Sequence, residues 1–304
     1  MRAYVGVTDN NWFGHLRQMA GVDEVNFWQP SADHAFQALS PGELFLFKLH
    51  SPEDYIVGGG LFAYWTRLPV SVAWDAFQEK NGAPDLLEMR RRIERYRKIR
   101  PAPHEDYEIG NILLEQPFFF DREQWFPVPD WHANIVRGKG YDFTTAVGKR
   151  LQQAVEARLK ARLFTSVGEK GPRYGEPIPV RPRLGQASFR ILVTDAYGRQ
   201  CAVTRGKALP VLTAAHIVPY GQGGEHRIDN GLLLRTDLHT LFDRGYVTIT
   251  PDYRLEVSNR LRTDFDNGEE YFAWQGSEIT LPAESNNKPR KEFLVWHNEN
   301  RFVG

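Results

Sequence analysis

The chain has 304 residues, 41% hydrophobic and 13% aromatic, with 38 basic residues against 38 acidic ones. That is enough apolar material for two cored domains or one large one, and the balance of charge excludes a disordered chain and a uniformly basic surface. Any nucleic-acid binding must therefore come from local patches. The single cysteine, Cys201, excludes an internal disulfide framework and a Cys-rich zinc ribbon, and reads as a small buried apolar side chain. No stretch approaches the length of a membrane span and the amino terminus lacks a signal-peptide pattern, so a cytoplasmic protein with no membrane partner is expected.

In chain order, residues 2–8 (RAYVGVT), 44–49 (LFLFKL) and 55–64 (YIVGGGLFAY) read as strands, with glycines 58–60 marking a bulge or a close backbone approach. Leu86, Met89, Ile93 and Tyr96 recur at helical spacing, so 85–100 is expected to be a helix. A strand-like run follows at 107–114, then aromatic-rich turns, then a long amphipathic helix over 144–164. Residues 168–185, GEKGPRYGEPIPVRPRLG, are rich in proline and glycine and have no apolar period. Proline fixes φ and removes a donor, so this stretch reads as an extended connection. The expected layout is a first domain over 1–165, a linker over 166–186 and a second domain over 187–304.

Beyond the linker, 187–197 leads in, VLTAAHIVPY reads as a strand entering a loop, and IDNGLLLRTDLHTLFDRG as a loop passing into a helix from about 231 to 243. YVTITPDYRLEVS reads as a hairpin-like pair.

Three polar positions stand out in this second half: His216, Asn230 and His239, fourteen and nine residues apart. A histidine at a strand–loop junction suits a general base, because its ordinary pKa lies near working pH. The Asn230 amide can tie down the loop that carries the base. His239 and Asp243, four apart on one helix face, can approach a divalent ion together. Asp229 and His226 read as loop-stabilising or phosphate-facing groups.

The stretch from Cys201 to Ile249, with AHIVP, DNG and LHTLFDRG in order, resembles the HNH nucleases, whose ββα-metal fold packs two strands against a helix around one divalent ion. The resemblance implies that His216 activates water, Asn230 fixes the motif and His239 binds metal. Many members carry Asp or His immediately before the base; here that position is Ala215. The ion would then rest on His239 with help from Asp243, another carboxylate, water or substrate phosphate, which suits one Mg²⁺ or Mn²⁺, while the absent cysteine cluster disfavours structural zinc. The implied reaction is hydrolysis of a DNA phosphodiester.

The first half holds six of the eight tryptophans: Trp12, Trp28, Trp65, Trp74, Trp125 and Trp131. Its opening strand followed by TDNNW, and then PGELFLFKLHSPEDYIVGGGLFAYW, resemble the PUA-like superfamily of modified-nucleotide readers, with EVE, YTH and SRA types. The fold implied for the whole chain is α+β, a small PUA-like barrel followed by a ββα-metal domain. Trp12, Trp28 and Trp65, with Asn10, Asn11 and Asp33, are the residues expected to stack on a base and read its edge. Arg91, Arg95 and Lys98 in the first basic helix, and Arg158 and Arg162 in the second, are expected on the DNA backbone. A reader joined to such a nuclease resembles the modification-dependent restriction enzymes of bacteria. That implies double-stranded DNA with 5-methyl- or 5-hydroxymethylcytosine as partner, and a homodimer if both strands are cut. Two alternatives stay open: a sequence-specific endonuclease reading unmodified DNA, and a non-catalytic nucleic-acid-binding regulator.

Overall fold

In this computed structural model residues 1–98, 101–102, 104–166 and 184–304 are described, with only the backbone for 162–166. The chain divides into two compact units, Met1–Pro182 and Arg183–Gly304. Most of the expected linker, 167–183, and the side chain of Arg162 lie outside the described residues. No helix among the described residues is long and apolar enough to cross a membrane.

The first unit runs β1 (Arg2–Thr8), α1 (Asn10–Gln18), β2 (Glu24–Gln29), β3 (Leu44–Leu49), β4 (Tyr55–Pro69), α2 (Val70–Phe77), α3 (Leu86–Arg95), β5 (Glu108–Phe119), β6 (Phe126–Pro127), β7 (Gly138–Asp142) and α4 (Ala146–Ser166). The strands form a mixed sheet in the order β2-β5-β4-β3-β1-β7, with β6 paired to β4. Only β1 and β3 run parallel; the other ladders are antiparallel. Among the described residues no ladder joins β2 to β7, so the path stays open and the closed barrel expected from the sequence is not formed. Glycines 58–60 do mark a close approach, because a Cβ on Gly58 would lie 2.2 Å from the Phe118 carbonyl oxygen.

Local chemistry sets the helix starts. Asp9 caps α1 by accepting from the Asn11 and Trp12 amides, each at 2.9 Å, and Asp85 caps α3 through the Glu88 amide at 2.7 Å. Under α1 the core is aromatic, with Trp12 set edge-on against Phe27 and Phe47 at 5.5 and 5.1 Å. Three buried asparagines cross it. Asn26 donates to Asn81 at 2.8 Å and to Asn111 at 2.7 Å, linking β2, β5 and the turn after α2.

The second unit comprises α5 (Gln186–Ala196), β8 (Leu212–His216), β9 (Gly231–Arg235), α6 (Thr236–Asp243), β10 (Val247–Ile249), β11 (Leu255–Val257), α7 (Arg260–Phe265), α8 (Glu269–Phe272) and α9 (Lys291–Asn300). β8 and β9 form an antiparallel hairpin that runs directly into α6. Here the sequence reading needs correction: the helix begins at Thr236, and 231–235 is a strand. GLLLR is buried on both faces, and a short apolar run of that kind carries no period to separate strand from helix. β10 and β11 pair as the expected hairpin.

The asparagine cluster makes a checkable prediction. Asn26→Ala strips two acceptors of their donor in a buried site, so unit 1 should lose on the order of 2–4 kcal/mol in denaturant unfolding.

Candidate active site

His216 is the last residue of β8 and pairs with Gly231, the first of β9. The absent side chain at Gly231 lets α5 come close: a Cβ there would meet Val193 Cγ2 at 2.5 Å and the Phe189 ring at 3.1 Å. Phe189 uses that room to lie parallel to the His216 imidazole, centroids 3.9 Å apart and planes 15° apart. Burial is the largest influence on His216, followed by the nearby His226 and His239, with Asp243 opposing them. Together they push its pKa down to about 4, so at neutral pH the ring is uncharged and able to accept a proton.

The loop after His216 is held by Asn230, which is fully buried. Its Oδ1 accepts from the Val218 amide at 2.9 Å, while Nδ2 donates to the Val218 and Glu225 carbonyls at 3.0 and 3.1 Å. The Asn230 carbonyl also accepts from the Ile217 amide at 2.9 Å. Gly224 is required beneath this clasp, since a Cβ would fall 1.9 Å from the Val218 oxygen. Asp229 receives a two-pronged hydrogen bond from Arg227 and another from Arg290, so its loop-stabilising role is explicit.

On α6, His239 Nδ1 lies 2.6 Å from Thr213 Oγ1 of β8, and Nε2 lies 3.3 Å from Asp243 Oδ2. With the Thr213 hydroxyl accepting from Nδ1–H, the Nε2 lone pair is free for an ion. Two donor atoms 3.3 Å apart suit one small cation at ordinary ligand distances of about 2.1 Å. Among the described residues no third His, Cys, Asp or Glu joins them, and Ala215 is wholly buried in the apolar core. The residues thus fit a sparsely held hard ion whose remaining positions go to water and phosphate oxygens. His216, His239, Asp243, Arg190 and Arg301 border one cleft of about 520 Å³.

Residues 201–250 match the family model described as HNH endonuclease. This segment is an HNH endonuclease domain. The HNH match ends short of α5 and α9, which supply Phe189 and His297. A solved structure described as a modification dependent TagI restriction endonuclease is similar over 94% of this chain and 78% of that one. It shares 12% identity at a TM-score of 0.29, too loose a likeness to carry an inference about this chain. A search of curated proteins finds no match.

Outside the HNH domain the expected residues fare differently. Trp12 and Trp28 are core residues, 2% and 7% exposed, with indole N–H groups donated to the Asn26 and Asn81 carbonyls. Neither ring has a free face on which to stack a base, which corrects that expectation. Trp65 is half-buried and donates to Gln29 Oε1 at 2.9 Å. Asn10 and Asn11 are exposed, and Asn10 Oδ1 accepts from the His50 amide at 3.0 Å. Asp33 is exposed and bonded to Ser31. On α3, Arg91 and Arg95 are exposed, as is Lys98 just beyond it, whereas Arg92 is buried and donates to the Gly82 carbonyl at 2.6 Å. Arg158 donates to the Gln124 and Ala154 carbonyls and covers the Phe126 ring, so it serves packing and is withdrawn from the DNA backbone set.

Sequence reasoning missed Thr213, Phe189 and His297, whose only signal is proximity in the fold. His297 Nε2 donates to the Phe242 carbonyl at 3.1 Å, so its Nδ1 accepts from Thr248 at 2.8 Å, and its ring stacks on Phe242 beneath α6. Burial lowers its pKa to about 4. A group depressed from 6.5 holds its full stabilisation above the unfolded value and loses it as pH falls through the folded one. Thermal unfolding of unit 2 should therefore weaken between about pH 6.5 and pH 4, with His297 contributing on the order of 3 kcal/mol. His297→Gln should remove that share of the dependence and leave the part that His216 contributes.

Proposed function

We propose that this chain is a modification-dependent restriction endonuclease that hydrolyses DNA phosphodiesters with the HNH cleft of its second unit. The observation that carries the reading is the neutral His216 imidazole bordering the same cleft as the His239–Asp243 pair. His216 accepts a proton from water, and the resulting hydroxide attacks phosphorus. The P–O3′ bond then breaks and the departing oxygen takes up a proton. His239 and Asp243 would hold one Mg²⁺ or Mn²⁺, which when bound supplies positive charge to the phosphoryl and leaving oxygens. Arg190 and Arg301 flank the cleft as cations for neighbouring phosphates.

A second cleft of about 510 Å³ shares Asp243 and Arg301 with the first and adds Arg244 and the exposed Phe265. The strand beyond the scissile phosphate follows this path in our reading. Arg244→Ala should weaken duplex binding and reduce the slope of log affinity against log salt by about 1. An unchanged slope removes Arg244 from the path.

Unit 1 is the reader in this proposal, a PUA-like domain built on an open sheet. Its reading surface centres on the start of α1, where Asn10 meets His50 and the Tyr96 hydroxyl donates to Asp9 Oδ2 at 2.7 Å. The His50 and Tyr96 rings lie nearly parallel, 11° apart at 5.8 Å. The ligand is a cytosine carrying a 5-methyl or 5-hydroxymethyl group. One HNH centre cuts one strand, so a double-strand break calls for a homodimer.

Matched duplexes with cytosine, 5-methylcytosine or 5-hydroxymethylcytosine, incubated with Mg²⁺ and with Mn²⁺, test the specificity. Preferential cutting of one modified duplex is expected. Equal cutting of all three favours a sequence-specific nuclease, and binding without cutting in either metal favours a regulator.

A further inference from the structure

The HNH signature assigns a base, an asparagine and a helix histidine, and leaves His226 without a role. In the structure His226 Nδ1 lies 2.9 Å from His216 Nε2. Its ring is parallel to Tyr220, with centroids 4.5 Å apart and planes 7° apart. The residues around it are pinned: Gly224 packs under the Val218 carbonyl, the Glu225 carbonyl accepts from Asn230, and Arg227 is locked to Asp229. The imidazole is thus delivered to His216 by the same clasp that shapes the loop.

A neutral imidazole has one nitrogen that donates and one that accepts. A 2.9 Å contact between two such rings needs one hydrogen between them. Were His226 to supply it, the His216 Nε2 lone pair would be occupied and Nδ1 would carry hydrogen, leaving no site for a proton from water. We propose that His226 is the positioning residue of the base: its Nδ1 accepts from His216 Nε2–H, which leaves the His216 Nδ1 lone pair for the attacking water. This rests on the reading of His216 as base. When His216 takes the water proton at Nδ1 it becomes an imidazolium, and the same hydrogen bond becomes charge-assisted and stronger. His239 and Asp243 from α6 act on the charge of His216 in opposite senses, and Arg190 from α5 and Arg301 after α9 are the other charged groups that line its cleft. The stacked Phe189 and Tyr220 rings each hold one imidazole in place for the contact, with the two imidazole planes 57° apart.

Two substitutions separate this from a packing role. His226→Asn keeps an acceptor near the Nδ1 position and loses the ring, while His226→Phe keeps a ring on Tyr220 and loses the acceptor. The proposal predicts that His226→Asn stays within about threefold of wild-type kcat, while His226→Phe falls about 10–100-fold at unchanged KM. Retention in His226→Phe with loss in His226→Asn, or equal effects in both, overturns it. ¹⁵N-histidine NMR of the full chain reads the tautomer directly and needs no substrate. His216 should be the Nε2–H form in the wild type and in His226→Asn, and a mixture in His226→Phe. A His216 found as Nδ1–H in the wild type overturns the proposal. Loss of the base reading itself shows separately, as wild-type cleavage by His216→Ala.

Discussion

Three hydrogen bonds from one buried amide hold the loop that joins β8 to β9. Asn230 satisfies both the N–H and the carbonyl of Val218 and reaches on to the Glu225 carbonyl. A neutral hydrogen bond contributes only about 1 kcal/mol net, yet each buried group left without its partner costs about 1–3 kcal/mol. Losing this one side chain therefore leaves both backbone groups of Val218 unpaired at once, while the Glu225 carbonyl keeps the Arg227 amide. The loop has two short 3-10 turns, Tyr220–Gln222 and Ile228–Asn230, to fall back on. What the clasp secures is chemical as well as structural. It fixes the direction in which the chain leaves His216, and it brings His226 back onto that ring.

The electrostatics of the cleft follow from the same geometry. His216 stacks on Phe189 and is crowded by two other imidazoles, so burial and these neighbours both favour its neutral form. Across the cleft, His239 is bonded to Thr213 through one nitrogen and turns the other toward Asp243. One imidazole is thus prepared to take a proton and the other to share a cation. They differ because one sits at a strand end over an aromatic ring, and the other on a helix beside a carboxylate.

How much of this was legible in the sequence depends on how local the cause is. The order His216, Asn230, His239 is written in spacing, and the i,i+4 relation of His239 to Asp243 follows from helix geometry alone. The strand over 231–235 was not readable, because GLLL is apolar at every position and gives neither period. Phe189 and His297 come from α5 and α9, beyond either end of the HNH domain, and only the packed core brings them to the cleft. In the first unit, tryptophans suggested stacking platforms, but Trp12 and Trp28 turned inward because aromatic burial is the larger gain. The arginines of α3 divided for a physical reason too: Arg92 has a backbone carbonyl within reach, and Arg91 faces solvent.

The central claim is that the cleft bordered by His216 hydrolyses phosphodiesters with that histidine as base. Its most direct test compares wild-type and His216→Ala proteins on one modified duplex, measuring affinity and cleavage side by side. The account predicts unchanged affinity, because phosphate contacts lie elsewhere in the cleft, together with a rate lowered by about 10²- to 10⁴-fold. Cleavage by His216→Ala at the wild-type rate would contradict it.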